Sequence, residues 1–165
     1  TVVCARYRCV GGTPGLCVPV LRIEHHDLIT EQLDEIKALE AQLPLLIDFE
    51  AEIYTRQEGQ GFLLGTYEKA CVPWSPHQTP WDFGHELLQP DLDRIAPSLD
   101  IAYQHFPFLA NAGVKSMING PFTFAPDGNP LVGPVPGLQN MYLACGVMPG
   151  FGQGGGGGLP PAHWT

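Results

Sequence analysis

"MYLACGVMPGFGQGGGGG", residues 141–158, is the stretch on which the fold turns. An apolar, strand-like run from Met141 to Cys145 leads into glycines, and Gly150, Gly152 and Gly155 satisfy GxGxxG. That fingerprint binds a dinucleotide only between a strand and a helix, with an acidic residue about 20 positions further on to hold the ribose. With Thr165 the last residue of the sequence, the stretch is not expected to open such a unit by itself. Spacing alone leaves two readings, a phosphate-binding turn or a flexible glycine tail. The rest of the chain has to decide between them.

At 165 residues with 44% hydrophobic content, the chain is about one domain long and can build a core. Its formal charge is −9 and its eight Lys and Arg are scattered, so neither a nucleic acid nor an anionic membrane is an expected partner. Apolar runs such as "LPLLI", residues 43–47, fall far short of the roughly 20 residues of a transmembrane helix. No secretory leader is visible. Cys4, Cys9, Cys17, Cys71 and Cys145 form no CxxC pair, which argues against a disulfide framework or structural zinc. A reducing compartment fits: cytoplasm, or mitochondrial matrix for a eukaryotic source.

Upstream of the glycines, "VPVLRIEHHDLI" at 18–29 reads as a strand. "TEQLDEIKALEAQLP" follows, with Leu33, Ile36, Leu39 and Leu43 at helical spacing; Thr30 is the expected cap and Pro44 the stop. "AEIYTRQ" from Ala51 and "GFLLGTYE" from Gly61 predict a hairpin across "EGQ". The proline-rich segment from Cys71 to Phe83 predicts an ordered loop held by Trp74 and Trp81. From Asp91 to Phe106, Leu92, Ile95, Leu99, Tyr103 and Phe106 mark a helical face, with a kink or break expected at Pro97. "VKSMINGPFTFAPDGNPLVG" predicts a strand, a bend at Asn119–Pro121, a second strand and a turn at Asp127–Pro130. The fold class is therefore α+β, an antiparallel or mixed sheet with flanking helices.

Few residues declare chemistry by spacing. His25 and His26 are neighbours in a strand, so their side chains leave opposite faces and only one can face a pocket. They cannot share a metal, and His77, His85 and His105 have no i, i+4 relation, so no metal site is expected. Tyr54 reads only as a good strand former. No GxSxG elbow occurs.

Taken in order, "VPVLRIEHHDLITE", "LPLLIDFEAEIYTRQEGQGFLLGTYEK", "DLDRI", "NGPFTFAPDGNPLVGPVPGLQNMYLACG" and "GFGQGGG" resemble the C-terminal part of the FAD-dependent dimethylglycine and sarcosine dehydrogenase family, within the D-amino-acid-oxidase-like flavoproteins. The resemblance spans about residues 16–156. It implies a substrate domain over 16–118 and, over 119–165, the returning strand and glycine-rich turn of a split FAD-binding domain. The GxGxxG half of such a domain is not among these residues, so the 165 residues alone are expected to be inactive. In this resemblance Gly146, Val147, Met148, Pro149, Gly150 and Phe151 form a turn facing the flavin, where backbone N–H groups and a helix N-terminus meet negative charge.

The same resemblance assigns His25 and Tyr54 to the pocket of a small methylated amine. It implies oxidation of an N-methyl amine by hydride transfer to FAD, with His25 and Tyr54 orienting the amine and taking up its proton. In similar proteins a downstream folate-binding domain, outside this chain, captures the one-carbon unit. A non-catalytic regulatory relative that binds a protein partner is the alternative reading. Gly154–Gly158, Pro160 and Pro161 fall where the family's helix runs, at a propensity cost on the order of 10 kcal/mol. From propensity, the turn is expected without its helix.

Overall fold

A computed structural model describes residues 18–77, 79–84 and 86–164. Cys4, Cys9, Cys17 and His85 lie outside the described residues, as does the start of the expected substrate domain at residue 16. The chain divides into two compact units. Among the described residues, a sheet unit comprises 24–72 and 86–120, and a turn unit comprises 18–23, 73–77, 79–84 and 121–164. The architecture is α+β with antiparallel strand pairs.

Five strands make the larger sheet: β1 (Leu21–Thr30), β2 (Leu46–Asp48), β3 (Ile53–Glu58), β4 (Gly61–Thr66) and β5 (Val114–Phe124), in the order β2-β3-β4-β1-β5. β3 and β4 are the expected hairpin, paired antiparallel from Ile53 opposite Thr66 to Glu58 opposite Gly61. β1 lies antiparallel to β4 and β2 antiparallel to β3. β2 was not expected, because its three residues are too few to show alternation; pairing with Tyr54 and Thr55 creates it.

The first helix is much shorter than its periodicity predicts. Only α1 (Asp34–Lys37) is helical. Thr30 does not cap it, because β1 runs on through Thr30, whose hydroxyl accepts the Phe62 N–H at 2.9 Å and donates to the Glu31 carbonyl at 2.7 Å. Leu33 and Ile36 are buried while Leu39 is 43% exposed, so the apolar stripe has a core to cover for one turn only. Sheet pairing wins over propensity here.

α2 (Leu92–His105) continues through Pro97 as one helix, so of the expected kink or break the break does not occur. Asp91 caps it by accepting the Arg94 N–H at 3.2 Å. Pro97 removes one intrahelical bond near the start, and Ile95, Leu99 and Ala102 on either side of it are buried in the core with Leu28, Ile53, Phe62 and Leu64. Full burial of a side chain such as Ile53 or Ile95 contributes about 1.5–3 kcal/mol. A 3-10 turn over Pro107–Asn111 adds Leu109 to the same core. At the other end of α2, His105 Nδ1 meets Asp48 Oδ2 on β2 at 2.5 Å, and the carboxylate holds the imidazole above its usual range.

β5 is also continuous, where a bend at Asn119–Pro121 was expected. Asn119 is fully buried and anchors the strand: Nδ2 donates to Glu24 Oε2 at 2.9 Å and to the Gln89 carbonyl at 2.8 Å, while its own carbonyl accepts the Leu88 N–H.

In the turn unit, β6 (Leu131–Pro134) pairs antiparallel with β7 (Tyr142–Cys145), and Val18, Val20 and Cys145 form a small core with Leu131 and Leu143. Trp74 stacks under the Arg22 guanidinium, 5.5 Å from the ring centroid, and packs on Phe83 at 4.4 Å; Trp81, expected to share this role, is 67% exposed.

α3 (Gly150–Trp164) runs through all five consecutive glycines and Pro160, which corrects the expectation of a turn without a helix. Glycine can adopt helical angles; what it costs is the entropy of fixing it. A Cβ added at Gly155 or Gly157 would meet nothing within 4 Å. Gly155→Ala and Gly157→Ala are therefore expected to stabilise α3 by about 1 kcal/mol each. The gain should appear as increased helical ellipticity at 222 nm, and no change would mean that the segment is not helical in solution.

Candidate functional site

Strand alternation divides the sheet unit into two faces. His26 and Leu28 on β1, Leu64 and Thr66 on β4 and Ile53 and Thr55 on β3 are buried on the side where α2 packs. His25 and Asp27 point the other way, and the register brings Asp27, Gly65 and Tyr54 into one row across β1, β4 and β3.

Gly65 is what makes that row possible. A Cβ there would lie 2.0 Å from Tyr54 Cζ, because the tyrosine ring lies directly over the Gly65 backbone. Crossing the strand in this way, Tyr54 reaches Asp27 and donates its hydroxyl to Oδ1 at 2.6 Å. Burial, reinforced by this hydrogen bond and by the Asp27 charge, holds the Tyr54 phenol well above the usual tyrosine range. Tyr54 is thus a hydrogen-bond donor and not a base at any ordinary pH. Tyr67 completes the face, its ring 5.6 Å from His25 and 5.8 Å from Tyr54, and burial followed by the Asp27 charge raises its phenol too. The two residues assigned to the pocket, His25 and Tyr54, are brought together through Tyr67.

Behind this face lies Glu68, whose side chain is 1% exposed. Oε1 meets His26 Nδ1 at 2.8 Å; Oε2 meets His25 Nδ1 at 3.1 Å and accepts the Thr66 hydroxyl at 3.0 Å. His26 Nε2 accepts the backbone N–H of Asp91 at 3.1 Å. Although the two histidines differ in burial as alternation requires, both Nδ1 atoms turn to one carboxylate. Burial alone pushes the Glu68 carboxyl up, but the hydrogen bonds from His25 and His26 overcome it and bring it down to about 2.

The glycine-rich turn belongs to the other unit. Gly146 leaves β7 at φ +67°, and a Cβ there would stand 3.0 Å from Ala125 Cβ, so both the backbone angle and the close approach favour glycine. Val147, Met148 and Pro149 lead into α3 at Gly150. Gly150 N–H bonds the Met148 carbonyl and Gln153 N–H bonds the Pro149 carbonyl, so the N–H groups of Phe151 and Gly152 precede the helical ladder at its positive end. This arrangement fits a group that carries negative charge, as a reduced flavin ring does. Among the described residues no cluster of His, Cys, Asp and Glu could hold a metal ion, and no helix is long and apolar enough to cross a membrane.

The family model described as FAD dependent oxidoreductase matches residues 5–159. The chain belongs to this family. Mouse mitochondrial dimethylglycine dehydrogenase is 39% identical over 160 residues, which are 94% of this chain and 18% of that protein. Mouse mitochondrial sarcosine dehydrogenase is 33% identical over 156 residues, 94% of this chain and 16% of that protein. The chain thus spans under a fifth of the length of these relatives. Among solved structures, the L-proline dehydrogenase of P. horikoshii superposes with a TM-score of 0.67 at 19% identity, over 89% of this chain and 36% of its own, which shows the shared fold. FAD is the cofactor of the family.

Spacing alone missed Asp27, Gly65, Tyr67 and Glu68. The signal for the row was present, since a two-residue turn between Glu58 and Gly61 fixes Tyr54 opposite Gly65. Glu68 lies beyond β4, where no periodicity applies.

Proposed function

We propose that this chain is the substrate-facing part of a flavin-dependent oxidoreductase that oxidises N-methyl amines of the dimethylglycine and sarcosine type. Residues 16–118 then form the substrate domain, and 119–165 the returning segment of the FAD-binding domain. The observation that carries the reading is the Asp27–Gly65–Tyr54 row with His25 and Tyr67 on the same sheet face, supported by the 39% identity to a dimethylglycine dehydrogenase.

On this reading, the amine reaches the face as its ammonium form, and Tyr54 and His25 orient it. His25 takes the proton, because a charged nitrogen cannot support loss of hydride from its methyl group. Bound FAD would supply the hydride-accepting chemistry that converts the neutral amine to its iminium. Gly146, Val147, Met148, Pro149, Gly150 and Phe151 would hold the flavin ring by backbone groups, with Phe151 N–H at the positive helix end. On the same reading the protein works in the cytoplasm, or in the mitochondrial matrix of a eukaryotic source. A folate acceptor of the one-carbon unit would bind a domain outside this chain.

The test is anaerobic reduction of a dye by the longest reading frame containing this chain, with dimethylglycine and sarcosine as donors. Turnover is expected with at least one of them. Tyr54→Phe is expected to lower kcat/KM by about tenfold, the loss of one orienting hydrogen bond of about 1.4 kcal/mol. Absence of flavin and of turnover would favour the non-catalytic regulatory relative instead.

A further inference from the structure

The hydrogen bonds around Glu68 determine where the imidazole protons sit. Asp91 N–H can only donate, so His26 Nε2 accepts it and the His26 proton is on Nδ1, pointing to Glu68 Oε1. Thr66 Oγ1 donates to Oε2. His25 Nδ1 then faces Oε2 at 3.1 Å and the Thr66 carbonyl oxygen at 3.2 Å, both acceptors. A lone pair at that nitrogen would be directed at oxygen lone pairs, so His25 Nδ1 also carries a proton.

We propose that Glu68 is a positioning residue that fixes the His25 proton on Nδ1 and so makes Nε2 the acceptor of the substrate ammonium proton. This rests on the function proposed above. The proton leaves the amine nitrogen for Nε2, giving an imidazolium whose Nδ1–H remains on Glu68; no other bond changes. A carboxylate with three donors on it is ionised, and its charge stabilises the imidazolium formed 3.1 Å away. His26 is part of the device: it occupies Oε1, so the carboxylate offers Oε2 to His25 in one orientation. The other titratable groups around the pair are Asp27 on β1, Tyr54 on β3, Tyr67 beside Glu68 and Asp91 ahead of α2. Tyr54 and Tyr67, both raised by burial and the Asp27 charge, keep their protons.

Glu68→Gln keeps the shape but removes the charge, and its amide can accept from one ring while presenting N–H to the other. In the flavin-loaded enzyme, the acid limb of kcat/KM is expected to move to lower pH by about one unit, with the plateau down about tenfold. A purely structural Glu68 would lower Tm and leave the limb in place, and that result would overturn the proposal. A second measurement needs neither the variant nor turnover: nitrogen-15 spectra of the histidines in the wild-type protein near pH 7.5. Protonated Nδ1 with unprotonated Nε2 at His25 is expected. The opposite tautomer would overturn the proposal whatever the enzyme oxidises, whereas the expected tautomer without amine turnover would count against the function alone.

Discussion

Glu68→Ala is expected to destabilise the sheet unit by about 2–4 kcal/mol in denaturant unfolding. The change removes one carboxylate and strands the wholly buried His26 Nδ1, while His25 Nδ1 and the Thr66 hydroxyl lose their charged acceptor and keep only the Thr66 carbonyl at 3.2 Å and the His26 carbonyl at 3.3 Å. Each buried donor left without an acceptor costs about 1–3 kcal/mol, and water entering the space recovers part of the total. The effect has a pH signature. Glu68 titrates near 4.5 when unfolded and at about 2 in the fold. A depressed carboxyl contributes stability that is fully present above the unfolded value and is lost as pH falls through the folded one. Wild-type stability should therefore decline between about pH 4.5 and 2 more steeply than that of Glu68→Ala. Equal slopes would show that the carboxylate is not held as described.

Gly65→Ala is expected to lower kcat/KM of the flavin-loaded enzyme by about 100-fold while reducing stability by only about 1–3 kcal/mol. The new methyl group would occupy the place of the Tyr54 ring, 2.0 Å from Cζ and 2.5 Å from the hydroxyl oxygen. Backbone on a central strand cannot yield by that much, so the ring must swing away. Tyr54 then loses Asp27, and Tyr67 loses the neighbour at 5.8 Å against which it is placed. Because alanine is compatible with strand angles, the cost falls on the position of one side chain and not on the sheet. A Gly65→Ala enzyme with unimpaired kcat/KM would mean that the Tyr54 position is irrelevant to the substrate. Tyr54→Phe, which keeps the ring but not the hydroxyl, separates the ring's contribution from the hydrogen bond's.

These residues also show how far the sequence could be read. The β3–β4 hairpin, β7 and the apolar face of α2 are visible because each buries one side of a regular element, and alternation or helical spacing records that directly. Periodicity extends α1 too far because Leu39 sits at helical spacing with no core beneath it. α3 escapes a propensity reading because intrinsic propensity weighs heavily against five glycines, yet none of them meets a steric obstacle. His25 and Tyr54 had no local signal and were assigned only through resemblance to a family. Their neighbours were within reach of pairing logic: the hairpin register sets Tyr54 against Gly65, and alternation sets Asp27 beside His25 on one face. Glu68 was not, since it is recruited by tertiary contact after the strand ends.

The most direct test of the central claim is a crystal structure of the longest protein containing this chain, grown with FAD and a slowly oxidised N-methyl amine. The flavin ring is expected against the backbone of Gly146–Phe151 and the amine nitrogen within about 3.2 Å of His25 Nε2. An amine bound away from the face of His25, Tyr54 and Tyr67, or a flavin that makes no contact with the glycine turn, would contradict it.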